Sequence, residues 1–207
     1  MYYFATFFDK NYLSRGIVLY KSIEKQEIEF TFFVLCLDTD TYTFFKSHQK
    51  EFPRVQVLTL LEVESKYTEL KLIKNERTII EYYFTLSPYL PHYLLEKFNL
   101  KHICTLDADI LFFSNPALIF KFLEQYSIVI TPHKFSREIE YLCYHGIYNV
   151  SFQIFKNDSI GIKCLNKWKQ QCFVWCKDYV DATTGLYADQ KYLDTWTEEY
   201  PDKVKVL

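Results

Sequence analysis

Two aspartates one residue apart, Asp107 and Asp109, interrupt an apolar run in "KHICTLDADILFFSNP", residues 101–116. In extended backbone such a pair projects from one face, so both carboxylates can converge on one hard cation, Mg²⁺ or Mn²⁺. Left alone at the end of a buried strand they would repel each other, and desolvation would shift their pKa values. A cation held there would also neutralise a diphosphate. The plainer alternative makes Asp107 a turn cap and leaves Asp109 solvated.

The composition narrows the chemistry around this pair. Gly16, Gly146, Gly161 and Gly185 are the only glycines, so neither a G-x-G-x-x-G loop nor a P-loop can be written. Phosphate would have to be held by another device, and a metal ion is the leading one. With 24 basic and 26 acidic residues well mixed and a net charge of -2, there is no electrostatic footprint for nucleic acid or an anionic membrane. Aromatic residues are 19% of the chain and could supply stacking surfaces for a base or sugar, although core packing explains most of them. Cys36, Cys104, Cys143, Cys164, Cys172 and Cys176 lie mostly in apolar runs without C-x-x-C spacing, which reads as reduced thiols in a cytoplasmic chain. The opening "MYYFATFFDKNY" reads as a first strand rather than a signal peptide, and no uncharged apolar run is long enough to span a bilayer.

Positioning the aspartates requires a sheet. Strand-length apolar runs alternate with amphipathic helical segments, which predicts one α/β domain over residues 1–207, three layers (α/β/α) around a mainly parallel sheet. Expected strands are Tyr2 to Phe8, Phe30 to Leu37, Arg54 to Leu60, His102 to Leu106, Ser127 to Thr131 and Asn149 to Phe155. Expected helices are Tyr12 to Lys25, Thr41 to Glu51, one opened by Ser114, Asn115 and Pro116, Asp158 to about Cys176, and Ala188 to Thr195. Between residues 76 and 99, Pro88 and Pro91 predict two helices or one broken at Ser87. The segment "PHKFSREIEYLCYHGIY" is expected to be a loop, and the final "DKVKVL" to enter a strand. Asp9, Asp107 and His133 each follow a predicted strand and could share the rim where open α/β sheets bind ligands.

Several blocks together resemble a known superfamily. "TLDADILFFSNP" resembles the metal-binding strand end of A-type (DxD) nucleotide-diphospho-sugar glycosyltransferases, the GT-A type. "FFDKNYLSRGIVLYKSI", "ERTIIEYYFTLSPYLPHYLL", "ITPHKF", "GIYNVSFQIFKND" and "YADQKYLDTW" look like that superfamily's other blocks in the same order. The nearest group by these motifs is the bacterial one related to glycogenin and lipopolysaccharide galactosyltransferases. The resemblance implies that Asp9 and Asn11, with Thr6 nearby, contact base and ribose, and that Arg77 faces the donor phosphates. Phe84 and Thr85 stand where many relatives carry an arginine, leaving Thr85 as a donor-side candidate. Asn149 and His133 match positions near the donor sugar or acceptor. Asp189 and Gln190 match the block near the anomeric carbon, with Asp189 on sugar hydroxyls and Gln190 by the reacting face. Asn11, Arg77, His133, Asp189 and Gln190 each also have an ordinary structural reading as turn, helix-face or core residues.

The resemblance therefore implies a metal-assisted, retaining transfer of sugar from a nucleotide-diphosphate donor to a hydroxyl on a glycan, lipid-linked or other acceptor, with Mn²⁺ or Mg²⁺ at Asp107 and Asp109. Members of that superfamily continue past the point where "DKVKVL" ends, with a histidine metal ligand and phosphate-binding G- and W-containing motifs, so the resemblance implies a C-terminally short domain of weakened or no activity. Two other classes compete. One is a non-catalytic nucleotide-sugar-binding remnant. The other is a haloacid-dehalogenase-type phosphohydrolase with Asp107 as nucleophile, although its aspartate normally sits near the N-terminus and is followed by Thr or Gly rather than Ile110 and Leu111.

Overall fold

The structure, a computed structural model, describes residues 1–207. Seven strands form one sheet: β1 Tyr2–Phe8, β2 Phe30–Cys36, β3 Val55–Thr59, β4 His102–Leu106, β5 Ile128–Pro132, β6 Tyr148–Lys156 and β7 Val204–Val206, in the order β3-β2-β1-β4-β6-β5-β7. Only β6 runs against its neighbours, pairing antiparallel with both β4 and β5. The sheet is therefore mixed and mostly parallel, as the alternation of strand and helix patterns predicts.

Alternation along the strands sends side chains to two dry faces. Phe4, Phe32, Val34, Cys104 and Ile154 meet α1 (Leu13–Glu24) and α2 (Thr39–Ser47) through Leu19, Tyr20, Ile23 and Phe45. Ala5, Phe33, Leu35, Ile103 and Phe155 face the other core, built with α3 (Leu60–Lys66), α4 (Glu69–Ile73), α5 (Ile79–Phe98) and α7 (Ser159–Val174). A single turn, α6 (Ala117–Phe120), and another, α8 (Trp196–Glu199), complete the layers.

The prolines do not divide α5. It is one helix of 20 residues containing both Pro88 and Pro91, correcting the expected break at Ser87. Each interior proline costs about 3 kcal/mol in lost bonding and clash. Against that, Tyr82, Leu86, Tyr89, Leu90, Tyr93 and Leu94 are all buried, each contributing roughly 1.5–3 kcal/mol. The start is held by a capping box between Thr78 and Glu81, and the end by Asn99 in the left-handed region (φ 48°). Residues 137–145, expected as a loop, form 3-10 turns from Arg137 to His145, and the short helix expected over Ala188 to Thr195 is a 3-10 turn, Lys191–Thr195, running into α8.

The chain winds outward from β1 through β2 to β3, then returns to place β4 on the other side of β1. A crevice opens outside the carboxyl ends at such a switch point. Here those ends lead directly into Asp9 and Asp107.

Close approach of α7 to the sheet depends on Gly161, where a Cβ would sit 2.1 Å from the Lys156 carbonyl oxygen. Gly161→Ala should lower stability by about 1–3 kcal/mol, seen as a melting temperature reduced by roughly 2–10 °C. A wild-type melting temperature would contradict this packing.

Candidate functional site

The switch-point crevice is a cleft of about 510 Å³ that brings together Asp9, Asn11, Asp107 and Asp109. Tyr12, Leu37, Ile79, Ile80, Tyr83 and Phe84 supply apolar and aromatic walls. Asp9 opens the 3-10 turn Lys10–Tyr12, accepting from the Asn11 backbone N–H at 2.9 Å and from Asn11 Nδ2 at 3.2 Å. Turn formation and mutual orientation of these two polar side chains are thus the same event.

Asp107 leaves β4 with its backbone N–H still bonded to the Ser151 carbonyl at 2.9 Å, so the strand fixes its position. Its side chain is reached by solvent through the cleft yet is crowded by protein on most sides. That crowding, with Asp109 as a second cause, pushes the carboxyl up to about 6, and water in the open cleft screens part of the effect. Every ion pair of the chain lies elsewhere, so neither Asp107 nor Asp109 has a lysine, arginine or histidine partner. Two carboxylates of uncompensated charge suit a hard divalent cation that keeps several waters. No cluster of three His, Cys, Asp or Glu side chains surrounds them, so a cation held there would have these two carboxylates as its only ligands of those types.

Asp189 is 1% exposed, and its Oδ2 has no partner. Burial raises its carboxyl to about 7, the nearby Ser87 hydroxyl opposes this, and the charge of Asp107 adds to it. The two carboxylates therefore sense each other across the β4 end. Ala188 in the left-handed region (φ 46°) and a 2.8 Å bond from Trp168 Nε1 to the Asp189 carbonyl fix this corner. Gln190 donates through Nε2 to the His145 carbonyl at 3.2 Å and lies beside His133. His133 stacks on Phe135 with ring centroids 4.5 Å apart, and its buried Nε2 is unpaired. Burial lowers its pKa, opposed by Gln190 and Asp194 and assisted by His145. Asn149 is tied to its surroundings: its Oδ1 accepts from Thr131 Oγ1 at 2.9 Å and Ser151 Oγ at 2.5 Å, where the β5–β6 register shifts.

Seven sequence candidates lie outside the cleft lining: Asp189, Gln190, His133 and Asn149, described above, and Arg77, Thr85 and Thr6. Arg77 donates to Thr85 Oγ1 and, at 2.6 Å, to the Phe173 carbonyl, bracing the start of α5 against the end of α7. Thr85 is fully buried and returns its own hydroxyl proton to the Glu81 carbonyl at 2.8 Å. Thr6 is buried in β1 with an unpaired hydroxyl. Conversely, the cleft walls Ile79, Ile80 and Tyr83 were not singled out from the sequence. Their signal was available: exposed apolar residues in the first turn of an otherwise inward-facing amphipathic helix.

No family model matches the chain. Mouse xyloside xylosyltransferase 1 superposes with a TM-score of 0.65 at 15% identity, covering 100% of this chain and 84% of that one. The galactosyltransferase LgtC, solved with donor and acceptor sugar analogs, gives 0.63 at 15% identity, covering 99% and 72%. The chain has the GT-A fold of nucleotide-sugar transferases. In sequence it is similar to the uncharacterized protein YfnF of Bacillus subtilis, 29% identical over 208 residues, 96% of this chain and 66% of that protein. The chain spans about two-thirds of the length of the curated relatives it matches.

A carboxyl whose folded pKa is about 7, above its unfolded value near 3.8, binds more protons in the folded state. Its stabilising contribution is complete below the unfolded pKa and is lost as pH rises through 7. Asp189→Asn stays neutral throughout and should exceed wild-type stability by roughly 1–2 kcal/mol at pH 8, with the gain gone at pH 4. Denaturant midpoints at the two pH values check this, and equal midpoints at pH 8 would mean Asp189 is not held in a dry environment.

Proposed function

We propose that this chain is a glycosyltransferase domain that moves a sugar from a nucleotide-diphosphate donor to an acceptor hydroxyl, with retention of configuration and with Mn²⁺ or Mg²⁺ at Asp107 and Asp109. The observation that carries this reading is the pair of cleft carboxylates without a cationic partner, at the switch point of a GT-A sheet. A bound divalent cation would neutralise the diphosphate and stabilise the charge that develops on the leaving group.

The remaining roles belong to the chain's own groups. Asp9 and Asn11, already oriented by their mutual bond, meet the ribose and base, while Tyr12, Tyr83 and Phe84 exclude water along the apolar wall. Asp189 holds sugar hydroxyls, and Gln190, set by the His145 carbonyl, lies by the reacting face. His133 and Asn149 belong to the same reading as residues on the sugar and acceptor side. Arg77, which donates to Thr85 and Phe173, has no phosphate role in it. Retention is taken from the resemblance alone; an inverting enzyme would need a general base at the acceptor hydroxyl. The acceptor is a hydroxyl of a glycan, a lipid-linked sugar or another molecule. A cytoplasmic location is supported by six unpaired cysteines, and no helix is long and apolar enough to cross a membrane.

Calorimetric titration with UDP-, GDP- and dTDP-sugars, with and without Mn²⁺, tests the proposal. Cation-dependent binding with slow donor hydrolysis is the expected result, and Asp109→Ala should abolish the cation-dependent part while leaving circular dichroism unchanged. Binding without turnover would instead favour a nucleotide-sugar-binding module. Failure to bind any nucleotide would remove both readings, and phosphate-ester hydrolysis lost in Asp107→Asn would then replace them.

A further inference from the structure

Beneath the floor of the cleft, between α5 and the sheet, lies a pocket of about 20 Å³. Its polar lining is Thr6 of β1, whose buried hydroxyl has no partner, Ser87 of α5, Thr105 and Asp107 at the end of β4, and Gln153 of β6. That volume holds one water molecule and no more. Asp107 and Phe7 line both this pocket and the cleft above it.

Gln153, like Thr6, carries a polar atom that the protein leaves unpaired. It is 1% exposed in the middle of β6, opposite Thr105 on one neighbouring strand and Ile130 on the other. Its Oε1 receives only a long 3.5 Å contact from Thr105 Oγ1, and its Nε2 has no partner. An apolar residue would pack in this position without leaving a donor unpaired, so the amide costs stability unless something accepts its proton. A buried water needs two to four polar partners, and this pocket offers that many.

We propose that Gln153 is a positioning residue for the Asp107 carboxylate and acts through one ordered water held in this pocket. Gln153 Nε2 donates to the water oxygen. The water donates one hydrogen to Asp107 and the other to the hydroxyl of Thr6, Ser87 or Thr105, so the Gln153 amide is no longer without a partner. Asp107 is thereby held from below, leaving its remaining acceptor capacity for the cleft. The role assigned to Asp107 rests on the proposed cation site, whereas the water does not.

A high-resolution crystal structure of the wild-type protein should show one water within hydrogen-bonding distance of both Gln153 and Asp107. A dry pocket would overturn the inference whatever the protein binds. Gln153→Leu, close in volume, should empty the pocket and release Asp107 into more than one rotamer. It should weaken Mn²⁺ binding by roughly 10-fold, the usual effect of removing an outer-shell partner. Nucleotide binding without metal and the melting temperature should not fall. If Gln153→Leu does not fold, Gln153→Met makes the same test with an unbranched side chain. Wild-type Mn²⁺ affinity and a single Asp107 rotamer in the folded variant would refute positioning by Gln153. No Mn²⁺ binding by the wild type would remove the cation reading instead, and the water and rotamer observations would still decide this inference.

Discussion

Negative charge gathers at the carboxyl end of the central strand β4, and none of the chain's ion pairs reaches it. Lys10 pairs with Asp40, Arg15 lies over the Tyr12 ring, and Arg77 braces α5 against α7. The strand order then decides what can approach Asp107. Because β4 sits beside β1 at the switch point, the carboxylates open onto a cleft rather than onto a covering helix, and their charge is available to something that enters from solution. Asp189, drier still and pushed up to about 7, extends the acidic region into the sheet.

Much of the fold is legible in the sequence because buried parallel strands write themselves as short apolar runs. Phe30 to Cys36 and His102 to Leu106 need no tertiary information to be recognised. The continuity of α5 is not legible in the same way. Pro88 and Pro91 report local cost, whereas the burial that outweighs it involves residues on the sheet and α7, remote in sequence. The turns from Arg137 to His145 have a different origin: none of their residues is buried, so no core packing marks the segment.

The candidate site divides along the same line. Asp107, Asp109 and Asp9 were legible because they stand just past predicted strands, whereas Asn11 was singled out only by the resemblance. Arg77 and Thr85 satisfy each other, and a partner eight residues away on the first turns of a helix cannot be distinguished by pattern from a ligand contact. Gln153 lies in the run from Phe152 to Phe155, where one amide looks like noise. Only the pairing register, which sets it opposite Thr105 two residues before Asp107, gives it a place.

The reversed direction of β6 has a consequence for how such a domain can diversify. Since β5 and β6 are antiparallel neighbours, the segment between them, residues 133–147, is a hairpin connection that leaves from the same rim of the sheet as Asp107. Lengthening such a connection costs little entropy and leaves both strands in register. The wall beside His133 and Gln190 can thus be rebuilt by insertion or deletion while β4 and its aspartates stay where they are. Recognition of one half of a reaction can drift independently of the chemistry that serves the other.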